Sequence, residues 1–219
     1  MNIFSFDSKV TNVFAFIADL FILNIVYLSC CIPIVTIGAA QAGLHTAMRV
    51  LVDPNDDNSV LKAFFRGFKS GFLTVSGVHV VFLALDGILL HTLITSYSYR
   101  EENVFISWQF PLVMLIFCLI LHALVPLFHS QFSSKPFHLF RNSVLLFISR
   151  PIRSLGVGIL IWAPLVLFLL MPNVFTNVSV VFFTVYYSVA FAFCSVIMQK
   201  PFKLMIQEIN PDEVIEEIK

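Results

Sequence analysis

From Val10 to Ile32 the chain is almost continuously apolar. That is long enough to cross a bilayer, because about 20 residues rising 1.5 Å each cover a hydrocarbon core of roughly 30 Å. Similar runs cover Gly71 to Ser96, Val104 to His129, Ile152 to Met171 and Val174 to Met198. The pattern predicts an all-α, polytopic transmembrane bundle with five spans and a sixth candidate at Ile34 to Val52. Residues 1–199 form its single transmembrane domain and 200–219 a cytoplasmic tail.

The sixth segment differs in kind. Gln41, His45 and Arg49 recur every fourth residue and draw one polar stripe along an otherwise small and apolar helix. Gly38, Ala39, Ala42, Gly43 and Ala47 supply small residues that let membrane helices approach closely. With a turn at Pro33, this predicts a tight hairpin between the first span and 34–52. A re-entrant or interfacial helix is the alternative.

Composition closes off soluble folds. Hydrophobic residues make up 58% of the 219 and charged residues 12%, against about a quarter charged in soluble domains, and mean hydropathy is +0.91. Thirteen basic residues balance thirteen acidic ones, so nothing favours nucleic acid as a partner. Cys30, Cys31, Cys118 and Cys194 lie inside apolar runs and read as free thiols. Ala40-Gln41-Ala42 resembles a signal-peptidase site, but the preceding run is long and contains Asp19, which predicts a retained helix.

Charge position sets the expected orientation. Arg49, Lys62, Arg66 and Lys69 fall in one connector, Lys135, Arg141, Arg150 and Arg153 in another, and Lys200, Lys203 and Lys219 at the end. Positive residues accumulate on the cytoplasmic side, so these regions and the carboxyl terminus are expected inside a cell membrane. The hairpin would place the amino terminus inside as well. Two connectors read as amphipathic interfacial helices: one capped by Ser59, carrying Lys62, Arg66 and Lys69 with Phe64, Phe65, Phe68 and Phe72, and one from Pro136 to Arg150. Membrane lipid is the partner these faces suit. In the tail, Asn210 is expected to cap a short acidic helix starting at Pro211-Asp212-Glu213.

Polar residues inside the spans are the candidates for chemistry: Asp19, Asn24, His79, Asp86 and His122. A buried carboxylate in hydrocarbon must be paired or protonated. Asp19 could meet His79 or His122 at similar depth, and Asp86 lies two helical turns from His79 on the same face. A path Asp19, His79, Asp86 would suit proton or cation movement; interhelical hydrogen bonding that fixes register is the structural rival. Pro126 and Pro164 read as kinks. Asp53, Asn55 and Asp57 imitate a calcium loop, but Asn58 and Phe64 occupy positions that need Gly and Glu. No metal, cofactor or catalytic motif appears, and the chain is expected not to be an enzyme.

In Phe6-Asp7-Ser8-Lys9, Ala18-Asp19-Leu20, Asn24, Cys31-Ile32-Pro33-Ile34-Val35-Thr36-Ile37-Gly38-Ala39 and Phe64-Phe65-Arg66-Gly67-Phe68-Lys69 the chain resembles the YesL-like family of bacterial membrane proteins, a domain of unknown function. The resemblance implies a plasma-membrane protein with an accessory or regulatory role in carbohydrate uptake, partnered by a transporter subunit. It offers no catalytic residues. A small-solute or proton-coupled transporter is the competing expectation from the polar residues themselves.

Overall fold

The computed structural model describes residues 4–52, 59–99, 108–132, 135–181 and 185–209. The calcium-like residues Asp53, Asn55 and Asp57 and the tail helix expected from Asn210 lie outside them. The described residues form α1 (Phe4–Cys30), α2 (Ile37–Val52), α3 (Val60–Gly71), α4 (Thr74–Ser98), α5 (Gln109–Gln131), α6 (Pro136–Ser149), α7 (Pro151–Leu170), α8 (Pro172–Val181) and α9 (Tyr187–Ile209), with a 3-10 turn at Ile34–Thr36.

Four of these helices, α1, α4, α5 and α7, are long and apolar enough to cross a membrane. Their outward faces carry Phe14, Ile17, Val81, Ile88, Val113, Ile159 and Leu169, all well exposed. In water such a surface would drive aggregation, whereas in hydrocarbon it meets a solvent as apolar as itself. The inward face of α4 is narrow: Val75, His79, Phe82 and Asp86 follow one another at three and four residues and are buried.

Of the expected fifth span, Val174 to Met198, the described residues show α8 up to Val181 and α9 from Tyr187, whose apolar part is Tyr187–Gln199; residues 182–184 lie outside the described residues. α9 begins against α1, where Asn24 Oδ1 accepts from the Ser188 backbone N–H at 3.2 Å. This bond ties the buried Asn24 of α1 to the first turn of α9.

α2 sits at the centre, buried along nearly its whole length. At 16 residues it is about 24 Å long, short of the hydrocarbon thickness. The hairpin expectation needs correcting here, because the small residues serve other neighbours. A Cβ on Gly38 would stand 2.7 Å from His79 Cβ and 2.9 Å from the Val75 carbonyl oxygen of α4; on Gly43 it would stand 2.8 Å from the Phe64 carbonyl oxygen of α3. Gly67 of α3 reciprocates, 3.0 Å from the Ala42 carbonyl oxygen by the same measure. The close approach is therefore between α2 and the α3–α4 pair, and α2 packs far more extensively on α3 than on α1. The turn between α1 and α2 is closed by the Thr36 hydroxyl, 2.6 Å from the Cys30 carbonyl oxygen and 2.8 Å from that of Pro33.

α3 is amphipathic. Phe64 and Gly67 are buried against α2 while Lys62, Arg66 and Lys69 point outward. Ser59 occupies the N-cap position but makes no side-chain cap hydrogen bond, so the expected cap does not form. The four cysteines are free, with Cys118 and Cys194 buried.

Pro126 and Pro164 each remove a backbone hydrogen bond from within their helix. Pro164 has no N–H for the Leu160 carbonyl four residues back, and the Tyr186 hydroxyl donates to that same oxygen at 2.8 Å. A hydrogen bond removed within α7 is thus replaced from Tyr186, the residue before α9. Pro126 likewise withdraws the intrahelical partner of the His122 carbonyl.

Candidate functional site

Seven residues separate His79 from Asp86, which places both on the inward face of α4 with Phe82 between them. α5 lies alongside and presents Cys118 and His122 one turn apart. The Asp86 Oδ2 and His122 Nδ1 atoms are 2.9 Å apart, and His122 Nε2 is 2.6 Å from His79 Nδ1. His122 is 2% exposed and His79 4%. The Cys118 thiol lies beside the Asp86 carboxyl group.

Aromatic rings wall this chain. Phe82 stacks on His122 with centroids 5.2 Å apart and planes at 13°, and Trp162 of α7 packs on it at 5.3 Å. The indole N–H of Trp162 donates to the Leu119 carbonyl at 2.8 Å, which fixes the ring. Trp162 also lines an apolar groove of about 580 Å³ between α5 and α7, with Ile159, Ala163 and Val166. The imidazole of His122 therefore has aromatic faces above and beside it and hydrogen-bonding partners only in its plane.

The hydrogen-bond directions follow from the donor inventory. With Asp86 ionised, His122 Nδ1–H donates to it, His122 Nε2 must accept, His79 Nδ1–H donates, and His79 Nε2 is left as an acceptor. With Asp86 protonated every direction reverses, and His79 Nε2 carries the proton. The second arrangement holds one proton more than the first, with the proton of each bond shifted toward Asp86, so protonation of Asp86 through the chain requires a proton taken up at His79 Nε2. At its ends the chain meets the Cys118 thiol, beside the Asp86 carboxyl group, and the Ile34 backbone, beside His79, while Asp86 Oδ1 and His79 Nε2 are themselves buried and make no hydrogen bond.

The same geometry disfavours convergence on a metal ion. Asp86 and His79 bind opposite nitrogens of His122, so the three point along a line rather than at one centre; no group of three such side chains among the described residues is arranged to hold a metal.

Asp19 takes no part in this chain. It is half-buried on α1, and the carboxylate that meets His122 is Asp86. Asn24 serves α9 as described above. Arg49 is half-buried at the end of α2, its Nη1 3.1 Å from the Ser130 carbonyl oxygen and 3.2 Å from Gln131 Oε1. It thereby caps the carboxyl end of α5, where a cation is favoured. Lys62, Arg66, Lys69, Arg141 and Arg150 are exposed. Sequence alone assigns no role in this hydrogen-bonded chain to Phe82, Cys118 or Trp162; only the three- and four-residue offsets of Phe82 from His79 and Asp86 and of Cys118 from His122 hint at two of them.

Residues 20–93 match the model of a family described as Protein of unknown function, DUF624. The matched stretch runs from α1 through most of α4 and includes Asn24, His79 and Asp86, while His122 lies beyond it. No curated protein and no solved structure matches the chain.

Proposed function

We propose that this is a multi-pass cell-membrane protein, with its basic connectors and carboxyl terminus cytoplasmic, in which Asp86, His122 and His79 form an intramembrane proton relay linked to movement of a small solute. The observation that carries the reading is the continuous hydrogen-bonded chain with unpartnered acceptor atoms at both ends, enclosed by Phe82 and Trp162. A polar group held in hydrocarbon only for packing needs one partner; a chain that keeps all its hydrogen bonds after gaining one proton and reversing their direction can also pass protons on. The test is reconstitution of the purified protein in liposomes enclosing a pH-sensitive dye. Wild type should move protons under a gradient, and Asp86→Asn and His122→Phe should not; equal rates in all three would end the proposal.

A second reading, an accessory partner of a carbohydrate transporter, draws on a different observation. Burying Phe64 and Gly67 against α2 leaves Lys62, Arg66 and Lys69 in an outward row, and Arg141 and Arg150 of the second connector are also outward. Such a surface suits acidic lipid headgroups or an acidic face of a membrane partner. Copurification of a permease subunit that is lost on reversing Lys62, Arg66 and Lys69 to Glu would support it.

A further inference from the structure

Away from the relay, buried polar atoms without partners collect on one seam. Gln41 Oε1, both ring nitrogens of His45, Ser188 Oγ and Ser195 Oγ account for five of the ten such atoms among the described residues. Gln41 and His45 are one turn apart on α2; Ser188 and Ser195 flank Phe191 at three and four residues on α9. The rings of His45 and Phe191 are 4.3 Å apart at 31°, which sets these two stripes against each other. Tyr27 of α1 closes the third side, its ring 5.7 Å from Phe191 and its hydroxyl facing the side-chain amide of Gln41. His45 is 0% exposed.

Scattered orphans would signal loose packing, but a concentration at one three-helix junction signals a site. We infer that the α1–α2–α9 junction is a binding site for small neutral hydroxyl molecules, with water as its resident. The donor inventory selects the class. A neutral imidazole offers one donor and one acceptor, Gln41 Oε1 accepts, and each serine hydroxyl does both. No acid or second base stands among these groups to balance an ion. Molecules that donate and accept at once can each meet two to four such partners, which is the coordination of internal water, and Ser188 and Ser195, two turns apart on α9, would each be met by a different one. The stripe continues one turn to Arg49 at the end of α2, which gives the seam a polar route toward the solvent-facing edge of the bundle. This inference is independent of the proton relay, which uses the α4–α5 interface.

Radiolytic footprinting of the full-length protein in nanodiscs, in water enriched in oxygen-18, tests it without any activity assay. Side chains touching a bound water acquire its oxygen even when bulk solvent cannot reach them. His45, Tyr27 and Phe191 should be labelled several-fold faster than Phe64, which is equally buried in an apolar setting. Labelling of Phe191 no faster than of Phe64 overturns the site. The paired substitution Gln41→Leu with His45→Phe should abolish the Phe191 label; undiminished label in that folded variant would show entry of bulk solvent and also overturn it. Should the paired variant not fold, Ser195→Ala supplies the same comparison, with reduced label expected and unchanged label decisive against.

Discussion

His122 Nε2 and His79 Nδ1 stand 2.6 Å apart across the α4–α5 interface, while the other face of the His122 imidazole system ends on Asp86 Oδ2 at 2.9 Å. One ring thus joins two groups of a neighbouring helix that cannot reach each other along it. Such an arrangement ties the protonation state of a carboxylate to that of a histidine two turns away.

Replacing Asp86 with Asn keeps size and removes the titratable carboxyl group. The Asn amide can still donate to His122 Nδ1, which would lock the chain in the direction that Asp86 has when protonated. Proton movement in liposomes should fall by about 10²-fold or more, the range for loss of a positioned proton acceptor. Nitrogen-15 NMR of the variant should show His122 as the Nε2–H tautomer; an Nδ1–H tautomer would contradict the bond from the Asn amide.

Gly38 and Gly77 make a matched pair. A Cβ on Gly38 would stand 2.7 Å from His79 Cβ, with the Val75 backbone directly behind, whereas a Cβ on Gly77 would meet nothing within 4 Å. Gly38→Ala should therefore cost about 1–3 kcal/mol through overpacking. Gly77→Ala should be neutral or stabilise by up to about 1 kcal/mol through helix propensity. Thermal unfolding in detergent separates the two, and equal shifts would refute the close α2–α4 approach.

Tyr186 and Pro164 should be coupled. Tyr186→Phe leaves the Leu160 carbonyl without its donor and should destabilise by about 1–3 kcal/mol, the penalty for an orphaned buried acceptor. In a Pro164→Ala background the restored N–H can serve that carbonyl, so the same Tyr186→Phe change should cost little. A double-mutant cycle measures the difference, and additive effects would mean the hydroxyl does not compensate for the proline.

Arg49 bonds the last turn of α5 through Ser130 and Gln131. Arg49→Ala should cost about 1.5–3 kcal/mol, as for hydrogen bonds to charged groups. Amide exchange should accelerate most in the last turn of α5, since that is where carbonyls lose their cap; uniform acceleration would point to a general loss of stability instead.

Much of the helical framework is legible in the sequence, because hydrophobic length and the three-to-four-residue period are local properties. α1, α4, α5 and α7 coincide with apolar runs read directly. The run at 174–198 corresponds to α8 and α9 among the described residues. The small-residue stripe on α2 was readable as a contact surface, but its partner was not. Gly38 and Gly43 meet Val75 and Phe64, residues that no spacing rule ties to them.

The candidate site divides the same way. That His79 and Asp86 share a face follows from their seven-residue separation, and that a buried carboxylate needs a partner follows from solvation. The sequence alone thus determined a helical membrane bundle with acids and histidines forced inward. Only the tertiary structure decided that Asp86 rather than Asp19 meets His122, that Asn24 serves α9, and that α2 is enclosed by α3, α4, α5 and α9. The reason is physical: periodicity fixes which residues share one helix face, but the rotation and order of neighbouring helices, set by packing across the whole bundle, choose what that face touches.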